Sequence, residues 1–127
     1  MKSIKGKVLL LLCIFMMCYM SAYAADWLVV ARDRNGTCCS LDMSSIDRIG
    51  TNGALIWTKT IQPNKNRVTL VHVALNNKTG EYMYLKILMY TREGQLISYL
   101  NITNPKVYQI DNMIVMQRIR ALLWRHI

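Results

Sequence analysis

Histidines, cysteines and clustered carboxylates are the residues with which a small chain could do chemistry, and this sequence holds few of them. His72 lies in an apolar run typical of a strand, and His126 is the penultimate residue. Neither histidine has an acidic residue or a cysteine at metal-ligand spacing, and zinc-protease, nucleophile-elbow and phosphate-loop motifs are absent from the sequence. We therefore predict that the protein is not an enzyme, with no catalytic residue, no metal site and no cofactor.

The four cysteines form two groups along the chain. Two of them lie in the N-terminal apolar run, whereas Cys38 and Cys39 are adjacent to each other. Adjacent residues on a strand point to opposite faces of a sheet, so these two thiols are not expected to pair with each other. The sequence predicts two buried apolar thiols and no disulfide framework, with an intermolecular bridge as the alternative.

The first 24 residues have the regions of a secretory signal peptide. Three lysines precede an uninterrupted apolar run over residues 8–20, which is shorter than the roughly 20 residues of a membrane-spanning helix. Ala22-Tyr23-Ala24 is the small-residue pattern at which signal peptidase cleaves. We predict a protein exported to the periplasm, the cell surface or the medium, whose mature chain begins at Ala25 and has no transmembrane anchor.

Residues 25–127 form a basic segment, with 13 Lys and Arg against seven Asp and Glu. A segment of this length is expected to form a single domain with one core. Its positive charge favours binding of polyanions such as sulfated glycans or lipid phosphates, or else serves solubility alone. The candidate binding residues lie at predicted turns and are Arg32, Arg34, Lys65 and Arg67.

Three aromatic residues on predicted strands extend this candidate site. We predict that Trp57 either packs in the core or joins Tyr82 and Tyr84 in a binding patch on the sheet face away from the helix. Aromatic rings beside positive charge also bind single-stranded nucleic acid. An exported protein seldom meets that ligand, so we predict no nucleic-acid partner.

The segments that would position these residues have the pattern of short strands. Residues Asn35-Gly36 are typical of a tight hairpin turn. Short connections between the segments favour an antiparallel meander. The six apolar segments cover residues 27–31, 37–42, 54–61, 68–75, 81–90 and 95–101.

The longest segment, residues 81–90, alternates in a way that predicts its two faces. One set is expected to face a helix and consists of Met83, Leu85, Ile87 and Met89. The other set is expected on the opposite face and consists of Tyr82, Tyr84, Lys86, Leu88 and Tyr90.

Helical spacing of apolar residues begins after Pro105 and continues to the C-terminus. Asp111 or Asn112 is expected to cap the start of this helix. We predict an α+β domain in which one C-terminal amphipathic helix packs on one face of a six-stranded antiparallel meander sheet. The residues that would face the sheet are Val115, Met116, Ile119, Leu122 and Leu123.

Five residues follow a pattern known from another group of proteins: Gly36, Asp42, Ser45, Ile46 and Trp57. On their own, Asp42 and Ser45 are predicted to bond nearby backbone amides at a strand exit. In order and spacing, the five residues resemble the surface-adhesin protein E-like family of bacterial exported domains, in which a Gly-x-x-x-x-x-Asp-x-x-Ser-Ile run precedes a Val-Trp strand. The resemblance covers nearly all of residues 25–127. It implies a six-stranded antiparallel sheet with a C-terminal helix, cell-surface or secreted placement, and, as in the best-known member, attachment to host extracellular-matrix and plasma proteins.

Two hypotheses of different classes follow. The first is an adhesin-like, non-enzymatic surface or periplasmic domain that binds an extracellular-matrix protein or a polyanion through basic turns and sheet aromatics. The second is an envelope structural or accessory protein with no external ligand. It would act as a homodimer, joined through an open sheet edge or through the region of Cys38 and Cys39.

Overall fold

The computed structural model describes residues 25–125, which form eight strands, two short 3-10 helices and one α-helix. The predicted signal peptide and His126 lie outside these residues. No helix in the described range is long and apolar enough to cross a membrane. The strands are β1 (Trp27–Arg32), β2 (Cys38–Asp42), β3 (Asp47–Ile49), β4 (Gly53–Gln62), β5 (Arg67–Asn76), β6 (Glu81–Tyr90), β7 (Leu96–Asn101) and β8 (Val107–Gln109). The 3-10 helices span Pro63–Lys65 and Ile110–Asn112, and helix α1 spans Ile114–Leu123.

All strand pairs in the sheet are antiparallel, and its order follows the chain along β1-β2-β4-β5-β6-β7. The two short strands are additions to this path, because β3 pairs with the start of β4 and β8 pairs with the start of β6. The predicted α+β class with an antiparallel sheet and a C-terminal helix is confirmed, whereas the predicted count of six strands is two short. Strands of three residues offer too few alternating positions to produce a recognisable pattern.

Helix α1 closes the hydrophobic core against one face of the sheet. Its buried residues are Met116, Ile119 and Leu123, three of the residues that the helical spacing predicts. Val115 and Leu122 pack against the same core and are partly buried. Each fully buried aliphatic side chain contributes about 1.5–3 kcal/mol relative to an exposed one. The largest fully buried side chains are Leu41, Ile56, Val73, Ile110 and Ile119.

Hydrogen bonds from long side chains attach helix α1 to the edges and loops of the sheet. Arg120 donates to Oδ1 and the carbonyl of Asn77 at 2.7 Å and 2.5 Å. Arg118 donates to the carbonyl of Val30 at 3.0 Å, and Arg48 donates to that of Leu123 at 2.6 Å. These three arginines therefore have structural partners and are set apart from the basic residues of the turns.

The helix begins differently from the prediction. Its N-cap residue is Met113, which makes no side-chain capping hydrogen bond. The 3-10 helix Ile110–Asn112 holds Asp111 and Asn112 in a separate turn, so both are one or two residues too early to cap α1. The predicted capping residues are therefore wrong.

A bulge in β6 reverses the predicted faces of its first half. His72 pairs with Lys86, but the next residue of β5, Val73, pairs with Tyr84, so Leu85 is an extra residue in the ladder. Tyr82 and Tyr84 consequently lie on the helix side, where Tyr82 is part of the buried core. One inserted residue exchanges the faces of every residue on one side of it, and the single alternation predicted for residues 81–90 is therefore wrong.

Candidate functional site

Three turns meet at one end of the sheet and carry Arg34 and Lys65. Arg32 and Arg67, also predicted at turns, are instead the last residue of β1 and the first residue of β5, directly beside these turns. The turns connect β1 to β2, β4 to β5, and β6 to β7, and we call residues 32–37, 63–67 and 91–95 the turn cluster. The side-chain amide of Asn64 donates to the carbonyl of Asn35 at 3.4 Å. Asn66 joins the other two turns, since its Oδ1 accepts the N–H of Arg92 at 3.2 Å and its Nδ2 donates to Glu93 at 3.4 Å. The turns are therefore held against one another.

The first turn owes its shape to Asp33 and Gly36. The Oδ1 atom of Asp33 accepts the backbone N–H groups of Asn35 and Thr37, both at 2.9 Å. Gly36 has a φ of +82°, a conformation that glycine adopts without a steric penalty. Gly36, the first residue of the family-like pattern, thus sets the backbone of the turn that carries Arg34.

The turn cluster has an excess of positive charge. Its acidic residues are Asp33, whose carboxylate accepts two amides of its own turn, and Glu93. The pKa of Glu93 is lowered by a hydrogen bond from the backbone N–H of Glu93 itself and by one from Asn66. Glu93 therefore stays ionised at neutral pH. Within residues 25–125, the one ion pair with an N–O distance of 4.0 Å or less joins Arg120 to Asp111, outside this cluster. The cations of the turn cluster are Arg32, Arg34, Lys65, Arg67 and Arg92.

Arg67 differs from the other four cations because it is partly buried. Its Nε atom is buried and has no hydrogen-bond partner among the described residues. Arg32, Arg34, Lys65 and Arg92 are exposed and free to contact a ligand.

The sheet face opposite α1, which we call the open face, continues from the turn cluster. The Nζ atom of Lys59 lies 4.5 Å from the ring centroid of Trp27. Farther along the same face, on β6 and β7, the Nζ atom of Lys86 lies 5.5 Å from the ring centroid of Tyr99. Both distances are within the range of cation–π attraction. The open face thus presents aromatic rings next to positive charge.

Trp57 and His72 form the centre of the open face. Their rings stack with centroids 4.6 Å apart and planes 11° from parallel. Burial, and then the charge of Lys86, lower the pKa of His72, while Asp47 opposes the shift. His72 is therefore neutral at physiological pH and packs as a flat aromatic ring beside Trp57.

The structure does not bring Tyr82 and Tyr84 together with Trp57, so the predicted patch of these three residues is wrong. Because of the bulge in β6, the two tyrosines lie on the helix side and pack with Tyr108, at centroid distances of 5.4 Å and 5.5 Å. Burial raises the pKa of Tyr84. The aromatic residues that do accompany Trp57 on the open face are Trp27, His72, Tyr90 and Tyr99. The link between Tyr99 and Lys86 depends on the pairing of β6 with β7, which no local sequence pattern gives.

Asp42, another residue of the family-like pattern, is the centre of a hydrogen-bonded turn. Its Oδ1 atom accepts the N–H of Asp26 at 2.9 Å, and the N–H and hydroxyl of Ser44 at 3.0 Å and 2.7 Å. Its Oδ2 atom accepts the hydroxyl of Ser45 at 2.7 Å. Ile46 packs against the core. These contacts give the residues of the pattern structural roles near the edge of the sheet.

The two adjacent cysteines lie on opposite faces of β2. Cys39 packs against the core on the helix side, and burial raises the pKa of its thiol. Cys38 pairs with Arg32 and Ile61 in the row of the open face nearest the turn cluster. Both thiols are free and only partly buried, in contrast to the full burial expected. In the described part of the chain, no group of three or more His, Cys, Asp or Glu side chains could hold a metal ion.

Comparison with known proteins gave no match: no family model, no curated protein and no solved structure matches this chain. The resemblance to the surface-adhesin protein E-like family thus remains a prediction from the sequence pattern.

Proposed function

We propose that this protein is an exported, non-enzymatic domain that binds polyanionic macromolecules through the turn cluster. The observation that carries the proposal is the gathering of five cations and only two acids at one end of the sheet, with no ion pair to neutralise these cations within the described residues. Sulfated glycans of an extracellular matrix and phosphate-rich envelope polymers share the chemistry that such a cluster attracts. The family resemblance, which implies attachment to extracellular-matrix proteins, favours a ligand in the extracellular matrix.

Two properties of the turn cluster suit it to this role. Arginine presents planar pairs of N–H donors that match the oxygens of sulfate and phosphate, and three of the four exposed cations are arginines. The hydrogen bonds of Asn64 and Asn66 hold the turns in place before a ligand arrives. Preorganised loops lose less conformational entropy on binding.

The open face would extend the contact beyond the turns. Lys59 and Lys86 lie beside aromatic rings there, so a sugar ring could stack on Trp27 or Tyr99 while its sulfate groups meet the ammonium groups. We therefore assign the binding role predicted for sheet aromatics to Trp27, Trp57 and Tyr99. Tyr82 and Tyr84 lie on the helix side and take no part in it.

The proposal predicts that neutralising the turn cluster weakens binding of heparin, a sulfated probe. The variant Arg32→Gln, Arg34→Gln, Lys65→Gln should bind heparin at least about tenfold more weakly, if each exposed charge is worth about 0.5 kcal/mol. Affinity of the unaltered protein should fall as salt rises, because screening shortens the reach of these charges. The measurement is isothermal titration of purified exported protein across a salt series.

A variant with the same loss of charge serves as the control. Lys78, Lys106 and Arg125 are exposed and lie outside the turn cluster, and their replacement by glutamine should change heparin affinity less than about threefold. Equal losses in the two triple variants would mean that net charge, and no particular surface, attracts heparin. Absence of saturable heparin binding at low salt would contradict electrostatic binding by the turn cluster. The envelope accessory function would then be the better hypothesis.

Export can be tested without knowledge of the ligand. In a bacterial host with a periplasm, we expect the full chain to be recovered from the periplasm or the medium with an intact mass that begins at Ala25. Uncleaved protein retained in the cytoplasm would overturn this part of the proposal. Accessibility of the protein to a surface-labelling reagent would separate the cell-surface placement from the periplasmic one.

A further inference from the structure

Strand β7 (Leu96–Asn101) is an apolar strand at the edge of the sheet. All six of its residues are exposed. Four of them carry large hydrophobic side chains that are 50–52% exposed: Leu96, Ile97, Tyr99 and Leu100. An edge strand with this composition is a template for pairing with another strand.

The backbone of β7 has free hydrogen-bonding groups on its outer side. β7 pairs with β6 alone among the described strands. The N–H of Ile102 donates to the carbonyl of Leu85 at 3.0 Å. Because backbone groups alternate in an antiparallel ladder, the N–H and C=O groups of Leu100 and Ser98 also point toward β6. The alternation turns the N–H and C=O groups of Tyr99 and Asn101 outward, away from β6.

β7 lacks most of the features that normally protect a sheet edge. Charged side chains and proline discourage pairing, and residues 96–101 contain neither. A bulge at Ile97 is the one irregularity. On the opposite edge, β1 ends in Arg32 and has a bulge at Val30, whose carbonyl is taken by Arg118.

We propose that β7 pairs in antiparallel fashion with β7 of a second copy of this chain, about a two-fold axis normal to the sheet. The lack of charge on β7 favours a second copy over an acidic partner, because the turn cluster would attract an acidic partner to the end of the sheet. Two basic chains repel each other least where they meet through an uncharged strand. With Tyr99 opposite Tyr99 of the second copy, the outward N–H and C=O groups of both residues bond each other.

This geometry joins two sheets into one and places both open faces on the same side. The contact consists of one strand and its side chains from each copy, so it is smaller than a standard interface. We therefore expect a reversible dimer with a dissociation constant on the order of 10–100 µM. Because it depends on backbone and apolar contacts, the dimer should persist at about 1 M salt, where exposed charges are screened.

Sedimentation equilibrium of the exported protein tests the proposal, with protein up to about 0.5 mM so that a weak complex is populated. The unaltered protein should show a monomer–dimer equilibrium. Leu100→Lys adds a charge to the edge at an exposed position, and this variant should remain monomeric at every concentration. The matched control is Val29→Lys on β1, a residue 42% exposed, which should dimerise as the unaltered protein does. Circular dichroism checks that both variants keep the fold.

Three results would overturn the proposal: a protein that stays monomeric at the highest concentration, a dimer that survives Leu100→Lys, or a dimer that Val29→Lys disrupts equally. The outcome is independent of the proposed polyanion binding. If the protein binds heparin but stays monomeric, only the dimer proposal is contradicted. If it forms a dimer that persists at high salt but does not bind heparin, only the proposed polyanion binding is contradicted.

Discussion

Replacement of Ile119 by alanine is expected to lower the free energy of unfolding by about 3–4 kcal/mol. Ile119 is fully buried at the centre of α1, in the same core cluster as Ile56 and Val73. A ten-residue helix is marginal on its own, so α1 depends on this buried face. Urea unfolding should show a lower midpoint with an unchanged slope.

Ile114, the first residue of the same helix, provides the control because it is 62% exposed. The change Ile114→Ala should alter the free energy of unfolding by no more than about 0.5 kcal/mol. If both alanine variants lose the same stability, or if Ile119→Ala costs less than about 1 kcal/mol, α1 does not close the core as described.

Replacement of Asp42 by asparagine is expected to lower the free energy of unfolding by about 2–3 kcal/mol at neutral pH. Asp42 is 4% exposed, and its carboxylate accepts four hydrogen bonds, from Asp26, Ser44 and Ser45. Asparagine keeps the size of the side chain but turns one acceptor into a donor that faces other donors. Urea unfolding at pH 7 is the measurement.

The pH dependence of stability gives the same prediction a second readout. Burial raises the pKa of Asp42, but the hydrogen bonds from Asp26, Ser44 and Ser45 outweigh it, and the net pKa lies below the ordinary value of 3.8. A lowered pKa in the folded state contributes stability that is fully present above the unfolded value. This stability is lost as the pH falls from about 4 through the folded pKa.

The Asp42→Asn variant should therefore lose less stability than the unaltered protein when the pH is lowered from 5 to about 2. Asp47→Asn is a control with the same loss of charge, since Asp47 is exposed on β3, and this variant should lose no more than about 0.5 kcal/mol of stability at pH 7. Parallel pH profiles for the unaltered protein and the Asp42 variant would contradict the role assigned to this carboxylate.

Local patterns in the sequence predict the features of the fold that depend on neighbouring residues. Asn35-Gly36 indicates the first hairpin because positive φ at Gly36 is a property of the residue itself. The spacing of Met116, Ile119 and Leu123 indicates the buried face of α1 because helical geometry fixes which side chains share a side.

The bulge at Leu85 escapes prediction for a different reason. It depends on how β5 and β6 align over ten residues, and the sequence of β6 alternates smoothly through it. The consequence is large, because Tyr82 and Tyr84 change faces and the expected aromatic patch is lost. An alternating pattern predicts faces only while the ladder is regular.

The turn cluster is an intermediate case. Arg34 and Lys65 lie in turns, as the sequence predicts, with Arg32 and Arg67 directly beside them, and in an antiparallel meander every second connection lies at the same end of the sheet. By the same rule, the turn that carries Arg92 lies at this end of the sheet, so the sequence was sufficient to include Arg92 among the candidate binding residues. The hydrogen bonds of Asn66 to the turn after β6 bring the turns together, and such long-range contacts have no local signal in the sequence.

The proposed binding surface can be mapped most directly by nuclear magnetic resonance of the isotopically labelled exported protein, titrated with a short heparin oligosaccharide at low salt. The account predicts saturable shifts of the amides of residues 32–37, 63–67 and 91–95, with further shifts of the indole N–H groups of Trp27 and Trp57. Shifts confined to α1 and β3, or no saturable shifts at all, would contradict it.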